Sequence, residues 1–289
     1  MTSNVSGVRI RLALVNGLRL ETSADLYEDI AGRLRARGIE VKLIQGLDGP
    51  ASVFRDYDLV ISNMDVSAAI APGIPVYAGR AMSRPTSLRL LEMFGVPTME
   101  WALAPTRREV RALFDAWNTE RVLLKPSFTF GGKGVRVFTR GAVWRLRWRR
   151  ELDVFCREVN PDEGDVYKAE LFNGHVLISW KSAAPPIRAQ FRRGIYRGLR
   201  GAYGARGLWD LPAGLAAKLE TFSRGLAAEG LGHVSVDLMR RPDDNLIAIE
   251  LNPRGVATWW TRQFPDFRDR YTDALYELAA RHRSPLQDF

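Results

Sequence analysis

Val234-Ser-Val-Asp237-Leu-Met239, a polar turn Arg240–Asn245, and Leu246-Ile-Ala-Ile-Glu250-Leu-Asn252-Pro253 decide how this chain is read. Two apolar runs of strand length joined by a polar turn predict a hairpin. Asp237 interrupts the first run among Val236, Leu238 and Met239. In the second, Glu250 and Asn252 flank Leu251, so the two-residue period of a strand puts both on one face. Two carboxylates and an amide oxygen converging on one face form a hard-oxygen set suited to Mg²⁺, which keeps some waters and is completed by substrate phosphates. Separately solvated acids at strand ends are the plainer account, and the apolar neighbours of Asp237 argue against it.

Upstream lies Val122-Leu-Leu-Lys125-Pro126, then Ser-Phe-Thr-Phe and Gly131-Gly132-Lys133-Gly134-Val135. An apolar strand delivers a lysine into a glycine-rich turn. Glycines accept positive φ and let backbone N–H groups approach an anion. Lys125 and Lys133 add point charges for phosphate oxygens. The spacing is not that of a Walker A loop. Alone, this string does not separate a phosphate site from an ordinary glycine hairpin.

The chain has 289 residues, 46% hydrophobic and 26% charged, which suggests two domains or one large one and excludes a disordered chain. The single Cys156 excludes a disulfide scaffold and a cysteine zinc cluster. No apolar run reaches transmembrane length. Met1–Leu20 carries arginine within its apolar stretch and reads as a first strand, not a signal peptide, so a cytoplasmic protein is expected. The net charge is +9, and 36 of the 42 basic residues are arginine. Codon bias accounts for the choice of arginine but not for its placement. Arg136–Arg150 and Arg188–Arg206 each hold six basic residues and no acid, together +12 against −3 for the remainder. Nucleic acid, an anionic surface and a small polyanion such as a nucleotide are the candidate partners.

Along the chain, Val8–Val15, Val41–Gln45, Asp58–Ser62 and Ile74–Tyr77 read as strands. Asp25–Arg37 reads as a helix with Leu26, Ile30 and Leu34 on one face. A parallel α/β unit follows, without the Gly-x-Gly-x-x-Gly turn of a dinucleotide site. Ser83 caps a helix to Phe94, Thr106 caps another carrying Val110, Leu113 and Phe114, and Arg121–Leu124 and Val135–Phe138 read as strands. Trp144-Arg-Leu-Arg-Trp148-Arg-Arg reads as a basic aromatic patch or, equally, as a helix with Val143, Leu146 and Trp148 packed. His233, the strand-end group Ser62, Asn63 and Asp65, and the pair Trp259-Trp260 are weaker candidates, more simply explained as core or loop caps.

The two strings in this order, with the acid pair about 110 residues after Lys125, resemble the ATP-grasp superfamily, closest to the RimK and glutathione-synthetase-like carboxylate–amine ligases. The resemblance spans roughly Ala81 to Trp260. It implies an α/β fold, α+β in the C-terminal part, with an N-terminal Rossmann-like pre-grasp domain (1–80). A central subdomain with the glycine-rich loop (81–158) and a C-terminal subdomain with the metal site (159–289) follow. Arg84 stands where the family has a nucleotide lysine, keeping the charge but not the geometry. Lys125 matches the second lysine, and Gly131, Gly132, Lys133 and Gly134 match the phosphate-covering loop. Arg157 and Glu158 lie on the strand that holds adenine, Arg157 replacing a glutamine. Asp165 lies near the ribose-binding acid, about one residue out of register.

Lys168 matches a basic residue beside the transferred phosphoryl group. Arg188, in Ile187-Arg-Ala-Gln190, is similar to the arginine that supports the acyl phosphate. Asp237, Glu250 and Asn252 match the metal ligands. The implied cofactors are ATP and one or two Mg²⁺, with Mn²⁺ able to substitute. The implied reaction joins a small-molecule or peptide carboxylate to an amine through an acyl phosphate, releasing ADP and phosphate. No membrane partner is implied, and homodimers are common in similar enzymes. Two rivals stay open: a small-molecule kinase, to which Tyr167-Lys168 bears a faint likeness, and, ranked last, a basic nucleic-acid module. The charge blocks lead us to expect a carboxylate substrate with additional negative charge.

Overall fold

The computed structural model describes residues 10–17, 21–46, 54–66, 72–127, 133–192, 194–196, 206–253 and 264–282. Four parallel strands, β1 (Arg11–Asn16), β2 (Glu40–Gln45), β3 (Leu59–Ser62) and β4 (Val76–Ala78), form a sheet in the order β2-β1-β3-β4. Helix α1 (Glu21–Ala36) covers it through Leu26, Ile30 and Leu34, all fully buried. The apolar spacing predicted this stripe, and Gly38, at φ +83°, lets the chain turn after the helix.

Two antiparallel sheets follow. The six-stranded one runs β11-β12-β7-β6-β8-β5. It is built from β5 (Trp101–Ala102), β6 (Arg121–Lys125), β7 (Arg136–Thr139), β8 (Val154–Arg157), β11 (Phe191–Arg192) and β12 (Ile195–Tyr196). The five-stranded one runs β13-β10-β9-β14-β15, from β9 (Val166–Phe172), β10 (His175–Ser182), β13 (Arg206–Leu208), β14 (Val234–Arg240) and β15 (Leu246–Asn252). The predicted hairpin is therefore β14–β15, an edge pair whose inner strand lies against β9. Helix α2 (Arg84–Met93) starts at Ser83, whose hydroxyl accepts from the Thr86 N–H. Helix α3 (Arg107–Ala116) starts in a capping box between Thr106 and Glu109.

Each face of the five-stranded sheet has its own cover. Helix α4 (Ala213–Ala228) lays Leu215, Leu219, Phe222 and Leu226 into the same core as Tyr167, Ala169, Leu171, Val236 and Leu238. On the opposite face Phe172, Ile178 and Trp180 share a core with Leu26 and Ile30 of α1. Phe267, Tyr271 and Leu275 of helix α5 (Pro265–Arg281) complete it. The N-terminal sheet is thus packed into the C-terminal half. Backbone bonds reinforce the seam: Ala78 N–H donates to Gly230 (3.0 Å), Gly232 to Ala78 (3.1 Å) and Arg80 to Pro253 (3.0 Å).

The helix read over Val143–Trp148 is corrected. A short 3₁₀ turn spans Arg140–Arg145, and the chain is not helical beyond it. Trp148 Nε1 donates to the Ala104 carbonyl, and the Leu146 carbonyl accepts from Arg107, so contacts to the neighbouring chain replace further helical bonds. Val143 and Leu146 are buried as expected, while Trp144 is 58% exposed. Trp259 and Trp260 lie outside the described residues.

Gly79 is a tight point of the seam. A Cβ there would stand 2.8 Å from the Asn63 carbonyl oxygen and 3.1 Å from that of Pro253, both backbone atoms. Gly79→Ala is expected to destabilise the fold by about 1–3 kcal/mol, read as a lower urea midpoint at unchanged slope. A native midpoint would show that the seam can yield.

Candidate active site

Strand pairing builds the site. Lys168 on β9 stands opposite Asp237 on β14, and Asp237 stands opposite Glu250 on β15. In the next row Glu170 faces Ser235, which faces Asn252. Directly opposed residues share a face, so Lys168, Asp237, Glu250, Glu170 and Asn252 lie on one side of the sheet, beside the core that buries Trp180. The expected convergence of Asp237, Glu250 and Asn252 is present: Asn252 Nδ2 donates to Asp237 at 3.3 Å.

Each carboxylate of the row is matched by a cation. Lys168 Nζ lies 2.9 Å from Asp237 Oδ1, with side chains 17% and 21% exposed. Arg84, at the first turn of α2 and only 7% exposed, donates from Nη2 to Glu250 at 3.4 Å and from Nε to the Pro126 carbonyl at 3.3 Å. Burial alone would lower the Lys168 pKa, but Asp237 and Glu170 outweigh it and push the ammonium above the ordinary lysine range. Lys125, at the end of β6, reaches across to the Ile249 carbonyl (3.3 Å) and the Met99 sulfur (3.4 Å). Burial pulls its pKa down. The register of β15 slips between Asp237 and Leu238, leaving Ile249 as the extra residue of a β-bulge, and Lys125 bonds to that residue's carbonyl.

The other predicted residues lie away from this row. Lys133 is exposed, and Gly134, at φ +77°, is a position where only glycine sits without strain. Gly131 and Gly132 lie outside the described residues. Arg157 is exposed and paired with Glu100 at 2.8 Å, while Glu158 is paired with Arg121 at 3.1 Å, its carboxyl pushed up by burial. Both line a cleft of about 230 Å³ between the end of β8 and the β14–β15 turn, with Val159, Thr98 and Ile247. Asp165 is bound to Lys181, and Arg188 is 63% exposed and held by Asp162 at 2.6 Å. Asn63 bonds Asn16 (2.9 Å) and the Gly17 N–H (2.9 Å), and Ser62 takes the Met64 N–H (3.2 Å), so these strand-end residues cap loops.

One member of the face had no sequence signal beyond alternation with Lys168. Glu170 is 2% exposed, and its Oε2 lies 3.4 Å from His233 Nε2, itself packed against Phe267 and Tyr271. Burial, with Asp237 adding to it and Lys168 opposing, raises the Glu170 carboxyl to about 7.

Neither a protein-family model nor a curated protein sequence matches the chain. Solved structures do. The D-cycloserine synthetase DcsG superposes with a TM-score of 0.66 at 17% identity, over 93% of this chain and 99% of that one. The D-alanine–D-alanine ligase of Bacillus anthracis gives 0.59 at 15%, over 95% and 98%. The ATP-grasp ligase PsnB, complexed with a minimal precursor, Mg and ADP, gives 0.60 at 15%, over 93% and 98%. The fold is that of the ATP-grasp superfamily. Among the described residues no helix is long and apolar enough to cross a membrane.

The raised Glu170 carboxyl makes stability depend on pH. The folded chain holds this proton more tightly than the unfolded chain, so stability falls as pH rises from about 4.5 to about 7. Glu170→Gln removes that slope. Relative to the native chain, the variant is expected to gain about 2–3 kcal/mol across this window in denaturant melts. A difference that stays constant with pH would mean the carboxyl ionises without penalty.

Proposed function

We propose that this chain is an ATP-dependent carboxylate–amine ligase of the ADP-forming kind. The observation that carries the reading is the row Arg84, Glu250, Asp237, Lys168, with Asn252 beside it, on an ATP-grasp frame whose solved examples are ligases. The oxygens of Asp237, Glu250 and Asn252 are the hard donors Mg²⁺ takes. Among the described residues no three His, Cys, Asp or Glu side chains surround one point, so Asn252 and phosphate oxygens would complete the shell. When bound, the ion supplies charge neutralisation at the ATP phosphates.

The chain's own groups supply the remaining requirements. Arg84, Lys125 and Lys168 surround the carboxylates with positive charge and hold phosphate oxygens in place. A substrate carboxylate oxygen attacks the γ-phosphorus as the bridging P–O bond to ADP breaks, giving an acyl phosphate. The amine nitrogen then attacks the acyl carbon, phosphate leaves, and the ammonium proton passes to phosphate or solvent. No protein nucleophile is needed. We assign Lys168 to the transferred phosphoryl group. We assign Arg188, which is paired with Asp162, to the acyl phosphate. Residues 1–80 form the substrate-side unit, 81–158 the nucleotide-covering unit and 159–289 the metal-bearing unit.

Of the pair Tyr167-Lys168 that bears a faint likeness to kinases, Lys168 lies in the row and Tyr167 does not. Tyr167 is buried on the α4 face, its ring 4.9 Å from that of Trp209, opposite the face of Lys168.

Asp237→Asn and Glu250→Gln are each expected to lower Mg²⁺-dependent ATP turnover by about a hundredfold or more while the far-UV circular dichroism stays native. Turnover is followed as ADP and phosphate, formed only when acid and amine are both supplied. Near-native turnover in either variant removes the metal assignment. AMP with pyrophosphate removes the acyl-phosphate route, and a phosphorylated product replaces the ligase reading with a kinase.

A further inference from the structure

Ser127 is the last described residue before the glycine-rich segment, and every polar atom it carries is engaged. It is 1% exposed. Its N–H donates to Asp153 Oδ1 at 3.1 Å, and its carbonyl accepts from Arg149 Nη2 at 2.7 Å. Its hydroxyl donates to the Leu152 carbonyl and accepts from the Arg84 N–H at 3.3 Å. Asp153, 5% exposed, also accepts from the Arg149 N–H (2.8 Å) and from Arg149 Nε (3.2 Å). Three segments distant in sequence are thus fastened at one buried serine: the start of α2, the end of β6 and the turn before β8.

This junction lies beside the charged row. Arg84 contributes its backbone N–H to Ser127 and its guanidinium to Pro126 and Glu250. Lys125 is two residues before Ser127 on the same strand end. A displacement of Ser127 would therefore move both cations. We propose that Arg149, acting with Asp153 through Ser127, is a positioning residue for Arg84 and Lys125, the two cations offered to nucleotide phosphates.

The inference separates Arg149 from its neighbours in the basic block. Arg147 and Arg150 are exposed and take part in no hydrogen bond or ion pair among the described residues, whereas Arg149 crosses the turn to hold a backbone carbonyl and a buried carboxylate at once. A guanidinium can do both because its donors point along fixed, divergent directions. Its side chain remains 51% exposed, so truncation removes the clasp without opening a core cavity.

The role in nucleotide binding rests on the function proposed above, whereas the clasp itself can be tested without it. Arg149→Ala and Arg150→Ala remove the same charge, and only the first removes the clasp. Titration with N-methylanthraniloyl-ATP and Mg²⁺ is expected to show about tenfold weaker binding for Arg149→Ala and near-native binding for Arg150→Ala, with the thermal midpoints of both close to native. Hydrogen exchange on the ligand-free protein is expected to quicken at the Arg84 and Ser127 amides in Arg149→Ala alone. Equal weakening by the two variants would reduce Arg149 to its charge and overturn the proposal. So would native affinity and native exchange in Arg149→Ala. If the native protein binds no nucleotide, the proposed function fails, and exchange at Arg84 and Ser127 alone decides whether the clasp stands.

Discussion

Two carboxylates placed side by side on a largely buried sheet face are costly to hold, and the local structure is organised around that cost. Ionised oxygens removed from water need partners, and losing one partner leaves the other charge exposed to the full desolvation penalty. Here the partners come from different parts of the chain. Asp237 is answered by Lys168 from the adjoining strand of the same sheet, and Glu250 by Arg84 from the first turn of α2. The ion pairs therefore do more than balance charge: the second ties the helix that opens the central part of the chain to the hairpin of the C-terminal part.

The same logic extends to the backbone. The extra residue in β15 places Ile249 outside the ladder, and its carbonyl becomes the acceptor for Lys125. Pro126, Ser127 and Asp153 then fix the strand end from which Lys125 projects. Glu170 is the exception in this arrangement. It sits in the row behind Lys168 with its Oε2 3.4 Å from His233 Nε2, and burial makes its carboxyl hold its proton to about 7.

How far this was legible in the sequence follows from how local each signal was. The alternation around Asp237, Glu250 and Asn252 lies within one hairpin, and a two-residue period is enough to place all three. Helix caps at Ser83 and Thr106 and the stripe Leu26, Ile30, Leu34 are similarly short-range. Lys168 reached the site only through resemblance, because its place opposite Asp237 depends on the pairing of β9 with β14, which no local pattern encodes. Arg84 was foreseen as a charge but not as the partner of Glu250. Arg157 and Arg188 fit a family pattern, yet here they sit on exposed positions beside Glu100 and Asp162. The stretch around Trp144 was read as equally good patch or helix. The hydrogen bonds of Trp148 and Arg107 to distant carbonyls, invisible in the sequence, set its actual path.

The seam between β4 and Gly230–Gly232, together with the shared core of α1, α5 and β9–β10, gives the molecule a mechanical order different from its order along the chain. The N-terminal sheet is bolted to the five-stranded sheet and α5, and the six-stranded sheet adjoins that body through the core it shares with α2, α4 and the five-stranded sheet. A displacement at the edge of the N-terminal sheet is therefore passed directly to the sheet that bears the carboxylate row. Lys125, at the end of a strand of the six-stranded sheet, is the cation that reaches the carboxylate row across the junction of the two sheets.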